Sequence, residues 1–236
     1  MRIDKLISDS GLLSRKETAL AAKRGQLLVD GVPVRDVSRH IDPERVTVTL
    51  FGRVVDYRRF TYVMLNKPEG YVSATEDSRL PVVTELLPPE LRKMELFPVG
   101  RLDRDTVGLM ILTNNGQLAH TVLSPKRHVS KLYRFECADP LPDGAEEKFR
   151  DGVVLADGYE CKSAVITLSE SRREGEITLT EGKYHQIKRM IASLGSKITY
   201  LERIAFADIP LDQDLSRGEW RYLTGEEITA LEEKAK

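Results

Sequence analysis

Cysteine is scarce in this chain. Cys137 and Cys161 are the only two, too few for a disulfide framework or a four-cysteine zinc site. Histidine is nearly as sparse: His40, His120, His128 and His185 show no His-x-x-x-His ligand spacing. Long apolar runs are missing too, since the longest, Val107 to Leu112, falls well short of the roughly 18 residues a membrane helix needs. The start, Met1-Arg2-Ile3-Asp4-Lys5, puts an acid where a secretory signal would begin its apolar core. Neither a Walker loop nor a dinucleotide fingerprint occurs, and there is no repeat or low-complexity segment. These absences predict a cytoplasmic protein of a reducing compartment, with no membrane, no metal and no cofactor. Its expected state is a monomer.

What is present is an ordinary globular balance. Of 236 residues, 41% are hydrophobic and 31% charged, enough for one large domain or a large plus a small one. The net charge of −1 hides an asymmetry: residues 1–60 carry 12 Lys/Arg against 8 Asp/Glu, the remainder 24 against 29. Lys126 to Arg134 holds basic residues and no acid. Local basic faces on a weakly acidic whole suit a polyanion binder, and they equally suit a plain solvated surface.

The patterning divides the chain into 1–52, a linker over 53–59, and 60–236. In the first part, Ile3, Leu6 and Ile7 share a helix face that stops at Gly11. Ser14-Arg15-Lys16-Glu17 is a capping box opening a second helix, which ends at Lys23-Arg24-Gly25. Leu27 to Val29 and Val32 to Val34 flank Asp30-Gly31 as a hairpin, and Val46 to Leu50 is a further strand. Beyond residue 60, strands are expected at 62–65, 96–99, 109–112, 132–136, 164–168, 177–180 and 198–204. Helices are expected at 117–123, 145–150 and 184–194, a broken one across 84–94, and a capped terminal one from Thr224. Many strands with few regular helices between them predict an α+β fold with a mixed, largely antiparallel sheet and flanking helices.

Three stretches join punctuation to charge: Gly100 to Gly108, Lys131-Leu132-Tyr133, and Glu181 to Arg189. In the first, Asp103 sits in a glycine-bounded loop between apolar strands, a placement that suits a reactive group. A turn whose Asp103 and Asp105 cap backbone amides is the plainer reading, and both stay open at this point. The third stretch gathers bases at a helix start, where amides and dipole favour anions, or where a helix face is simply solvated.

In order and spacing, these stretches resemble the motifs of the pseudouridine synthases of the RsuA and RluA type. Gly100-Arg101-Leu102-Asp103, continued by Thr106 and Gly108-Leu109, is similar to their catalytic motif. Lys67-Pro68-x-Gly70 resembles the first motif, Lys131-x-Tyr133 the tyrosine motif, and Glu181 to Met190 the third. Residues 1–52 resemble the αL-type RNA-binding module that fronts many of these enzymes. The likeness spans essentially the whole chain.

The resemblance implies that uridine in RNA is detached from its ribose nitrogen link, turned, and rejoined through a ring carbon, without metal or cofactor. It makes Asp103 the catalytic carboxylate, Tyr133 the ring that stacks on the target base, and Lys188 the carboxylate's basic partner. Much of the wider family has arginine at that last position, and lysine is the variant associated with the small-subunit branch. The implied substrate is one uridine of 16S rRNA, within free rRNA or a small-subunit assembly intermediate. RNA contacts are expected from Arg101, Lys67, Lys131, Lys183, His185, Gln186 and Arg189, and in the first module from Arg15, Lys16, Lys23 and Arg24. The rival readings are a large-subunit (23S) synthase and a non-catalytic RNA-binding assembly factor.

Overall fold

The computed structural model describes every residue except Glu44, Asp56, Arg58 and Arg59. The chain divides into two compact units, Met1–Thr61 with Leu87–Leu96, and Tyr62–Leu86 with Phe97–Lys236.

The first unit opens with α1 (Ile3–Asp9) and α2 (Arg15–Lys23). The α2 capping box is formed as expected: the Glu17 amide donates to the Ser14 hydroxyl, and the Ser14 amide donates to the Glu17 carboxylate. Strands β1 (Leu27–Val29), β2 (Val32–Pro33), β3 (Val48–Leu50) and β4 (Arg53–Val54) form an antiparallel sheet ordered β2-β1-β3-β4. Ile3, Leu6, Ile7, Ala21, Ala22, Leu27, Val29, Val48 and Leu50 bury their side chains together. The sheet reaches into the stretch read as a linker. Arg53 and Val54 pair with Leu50 and Thr49, and Val55 joins the core, so 53–55 belongs to the unit. The rest of that expected linker includes Asp56, Arg58 and Arg59, which lie outside the described residues. Helix α3 (Pro89–Arg92), with Pro88 as N-cap, also belongs to this unit.

The second unit is built on a nine-stranded sheet. Its strands are β5 (Tyr62–Lys67), β6 (Phe97–Pro98), β7 (Val107–Thr113), β8 (Lys131–Cys137), β9 (Val165–Leu168), β10 (Glu174–Leu179), β11 (Ile198–Phe206), β12 (Ile209–Pro210) and β13 (Trp220–Tyr222). The order is β13-β5-β7-β11-β8-β10-β9, with β12 on β11 and β6 on β7. Every pairing is antiparallel except β7 with β11. The continuous apolar run of β7 is buried throughout, whereas β8 alternates buried and exposed, as a half-covered strand does. Helices α4 (Gly116–Leu123), α5 (Ala145–Asp151), α6 (Gln186–Ser193) and α7 (Gly225–Glu233) flank the sheet, the last opened by the expected Thr224–Glu227 capping box. The fold is α+β, with a small sheet and a mixed, largely antiparallel larger one. Among the described residues, no helix is long and apolar enough to cross a membrane.

Two differences from the sequence reading bear on the site. Strand β5 runs on through Asn66 and Lys67, and both side chains are buried. Helix α6 begins at Gln186, not Tyr184, because His185 takes left-handed backbone at φ +48° and turns the chain before the helix.

Candidate active site

The loop between β6 and β7 is bracketed from one side. The Lys67 ammonium is fully buried and donates to the carbonyls of Thr106 (2.8 Å), Pro68 (3.1 Å) and Arg104 (3.2 Å). The Gly70 amide also donates to the Arg104 carbonyl, at 2.9 Å. Ser73 completes the bracket, its hydroxyl donating to the Leu102 carbonyl and accepting from the Leu102 amide. The Lys-Pro-x-Gly motif thus holds the loop in shape. Lys67 is corrected here: an ammonium enclosed by three carbonyls is not an RNA contact. Burial pushes its pKa down to about 8, against the pull of Asp105 and Asp103.

The bracketed loop presents two carboxylates to one cation. The Lys188 ammonium, from the first turn of α6, lies 2.9 Å from Asp103 Oδ2 and 2.5 Å from Asp105 Oδ1. Burial opposes the charge on Lys188, but its hydrogen bonds to Asp103 and Asp105 prevail and hold its pKa above the ordinary lysine value. For Asp105, burial works upward and the Lys188 hydrogen bond and charge outweigh it, so its pKa falls. His185 approaches the other Asp103 oxygen, Nε2 to Oδ1 3.6 Å, which sets the ring beside the carboxylate. Arg189 turns away, pairing with Asp157 at 2.5 Å.

Tyr133 stands in the row of the sheet that passes through Gly108, the second residue of β7 after this loop. Lys67 opposes Gly108, Gly108 opposes Arg203, Arg203 opposes Tyr133, and Tyr133 opposes Ile177. Opposed residues share a face, so Lys67, Arg203 and Tyr133 project together. Tyr133 is two strands, about 10 Å, across from β7. Gly108 makes the row possible: at φ +99°, a Cβ there would lie 2.4 Å from the Arg203 carbonyl oxygen. Lys131, two residues before Tyr133, keeps to the same face and donates to the Val129 carbonyl at 3.1 Å. Burial, then the like charge of Arg203, brings its pKa down to about 8, with Glu181 opposing.

The third motif is fixed from within. Gln186 donates to Glu181 Oε1 at 2.5 Å and accepts from the Lys183 amide at 2.8 Å. Glu181 also accepts from the Lys162 amide and the Tyr159 hydroxyl. Gln186 is therefore a second correction, because its buried amide clamps the loop and is not free for RNA. Lys183 is exposed, its ammonium 4.8 Å from the Tyr159 ring centre. Arg101 is exposed on the Asp103 loop, and Arg15, Lys16, Lys23 and Arg24 are exposed on the first unit.

Two residues that the sequence reading gives no part in the site belong to it. Asp105 shares the Lys188 ammonium, a role that adjacency to Asp103 hinted at. Arg203 is 1% exposed, donates Nε–H to the Leu109 carbonyl at 2.7 Å, and leaves Nη2 without a partner among the described residues. Its signal in the sequence is the charged pair Glu202-Arg203 inside the strand 198–204.

A carboxylate oriented by an ammonium, beside a row carrying a buried tyrosine, suits chemistry at a sugar carbon with an aromatic face for a base. Comparison with known proteins agrees. The family described as RNA pseudouridylate synthase matches residues 61–193. The chain is 44% identical to the uncharacterized RNA pseudouridine synthase YtzG of Bacillus subtilis (strain 168), covering 99% of each. It is 35% identical to ribosomal small subunit pseudouridine synthase A of Escherichia coli (strain K12), over 98% of this chain and 100% of that one. A crystal structure of a pseudouridylate synthase superposes with TM-score 0.69 at 33% identity, over 98% of this chain and 99% of the other. On this sequence, fold and site, the chain belongs to the RNA pseudouridylate synthase family.

Proposed function

We propose that this synthase isomerises one uridine of small-subunit rRNA, with Asp103, Tyr133 and Lys188 as its catalytic set. The observation that carries the reading is the 2.9 Å pair between Lys188 and Asp103 in a loop bracketed by Lys67, Gly70 and Ser73. In the reaction the C1′–N1 bond breaks, the uracil turns, a C1′–C5 bond forms, and one proton leaves C5 while one is taken up at N1, so the product is an isomer of the substrate. Asp103 acts at the ribose, kept ionised and in one rotamer by Lys188. Tyr133 offers its ring to the flipped base, offsetting part of the few kcal/mol that extrusion costs. No step asks for metal or redox chemistry. Residues 1–52 with their exposed bases anchor structured RNA through phosphates, which position without specifying. The small-subunit target is supported by the names of relatives at 35–38% identity that match nearly end to end.

The test is pseudouridine mapping on unmodified small- and large-subunit rRNA transcripts incubated with the purified protein. The expected result is a single new pseudouridine in the small-subunit transcript, lost with Asp103→Asn. Conversion confined to the large-subunit transcript would overturn the target, and full activity of Asp103→Asn would overturn the site.

A further inference from the structure

Tyr184 is the most exposed large apolar side chain among the described residues, at 73%. It joins no core. Its ring stacks on His185, with centroids 3.8 Å apart and planes 18° from parallel, and that imidazole is the one reaching Asp103. With one face on His185, an exposure this high leaves the opposite face to water.

The backbone beneath the two rings is held firmly. Glu181 and Gln186 lock the loop from the buried side, tying it to Lys162 and Tyr159. His185 is kept in left-handed backbone, a conformation that residues with side chains rarely adopt and that persists where the surroundings over-determine it. Helix α6 needs nothing from Tyr184, since its packing comes from Ile187, Met190 and Ile191. The result is a rigid stand for an aromatic face, one ring removed from the catalytic carboxylate.

The geometry points to Tyr184 as a stacking subsite for the base next to the target uridine. The inference rests on the uridine-isomerising reading above. Bases stacked in one strand are stepped by about 3.4 Å, close to the spacing of these two rings. Turning a uridine out of its strand bares the face of its neighbour, and the open face of Tyr184 replaces the stacking that neighbour loses. Exposed Lys183, just before Tyr184, supplies charge for the adjoining phosphate. Recognition by a ring face is tolerant of base identity, so the subsite contributes affinity more than sequence choice.

The experiment uses the full-length protein with both unmodified rRNA transcripts, and proceeds on whichever one the wild type converts. Conversion of the large-subunit transcript would correct the target named above while leaving the subsite fully tested on that RNA. Tyr184→Ala is expected to lower kcat/KM roughly 5- to 150-fold, chiefly through KM, the range a base–aromatic stack supports. Its thermal melting should match wild type, and Tyr184→Phe should retain the activity. A short RNA carrying 2-aminopurine beside the mapped uridine should be quenched by wild type and Tyr184→Phe but not by Tyr184→Ala. A Tyr184→Ala enzyme within about twofold of wild type in kcat/KM, or one that quenches the probe as wild type does, overturns the subsite.

Discussion

The Lys188 ammonium lies 2.9 Å from the Asp103 carboxylate, and its second contact, to Asp105 at 2.5 Å, is the shorter one. Both Asp103 and Lys188 side chains are about a quarter exposed, so solvent screens the pair only in part. A point charge between two carboxylates is a different device from an arginine fork, which would engage one carboxylate through two parallel bonds. Asp105 therefore competes for the cation that orients Asp103.

That competition separates the two aspartates in experiment. Asp103→Asn is expected to lower turnover at least about a thousandfold, the scale of a lost catalytic carboxylate, while RNA affinity holds or improves slightly. Asp105→Asn should lower it only a few-fold, because Lys188 then pairs with Asp103 alone. Single-turnover rates with filter-binding affinities distinguish them. Equal losses in the two variants would show that the pair acts as one unit.

Lys188 itself tests whether charge or hydrogen-bond geometry matters. Lys188→Met removes the ammonium from Asp103 and leaves His185 at 3.6 Å, and turnover should fall about a hundredfold or more. Lys188→Arg should recover part of it. The pH sign is fixed by the raised pKa of Lys188: its stabilising effect is complete below the unfolded value of 10.5 and is lost only above that, as pH rises through the folded pKa. Between pH 6 and 9, then, no loss of activity should trace to Lys188, and a wild-type decline that Lys188→Arg abolishes would contradict this.

Much of this architecture could be read from residue order, for identifiable reasons. Capping boxes at Ser14 and Thr224 are local chemistry, and both formed. The apolar run of β7 and the alternation of β8 declared themselves by period. What stayed hidden were charged and polar groups turned inward. RNA contacts at Lys67 and Gln186 are what the motif resemblance implies, and residue order does not show that both side chains turn inward. Only the fold brings the Arg104 and Thr106 carbonyls to one, and Glu181 to the other. Arg203 was missed for the same reason. Strand β4 was hidden by its brevity, two residues among arginines.

Lys131 carries the clearest pH signature. Its pKa near 8 means the ammonium is present below that pH and is lost as pH rises through it. If Lys131 meets an RNA phosphate, affinity at constant ionic strength should weaken about three- to tenfold from pH 7 to 9. Stability moves the other way: from about 8 to 10.5 the unfolded chain holds more protons here, so this group's contribution rises with pH. Lys131→Arg, charged throughout, should flatten the affinity profile. A profile unchanged in that variant would place the titration elsewhere, and a wild type with pH-independent affinity would remove Lys131 from the interface.

Gly108 is expected to be intolerant of any side chain. Its φ of +99° and the Arg203 backbone 2.4 Å from the Cβ position leave alanine no space unless β7 and β11 separate. Gly108→Ala should cost more than about 3 kcal/mol, and it should displace Tyr133's partner Arg203. Gly182→Ala, with nothing within 4 Å of the added carbon, is the contrasting variant and should cost little. Urea unfolding measures both, and a Gly108→Ala loss below about 1 kcal/mol would mean the parallel pair is looser than its register implies.

The first unit is best tested by its charges. Removing residues 1–61 is a poor alternative, since Leu87–Leu96 folds with them: the Glu90 carbonyl oxygen lies 2.8 Å from where a Gly11 Cβ would stand. Arg15, Lys16, Lys23 and Arg24 are all exposed on α2 and its C-terminal cap, so changing the four to glutamine leaves the Ile3–Leu6–Ala22 core untouched. If they meet phosphates, each lost contact should lower the slope of log affinity against log salt by about 0.7–0.9. The quadruple variant should thus bind the rRNA transcript more weakly at low salt and approach wild type as salt rises. Turnover of bound RNA should be unchanged, because the Asp103 loop and Lys188 lie in the other unit. Parallel salt slopes for the two proteins would show that α2 does not touch RNA, and that docking falls to the unit holding the active site.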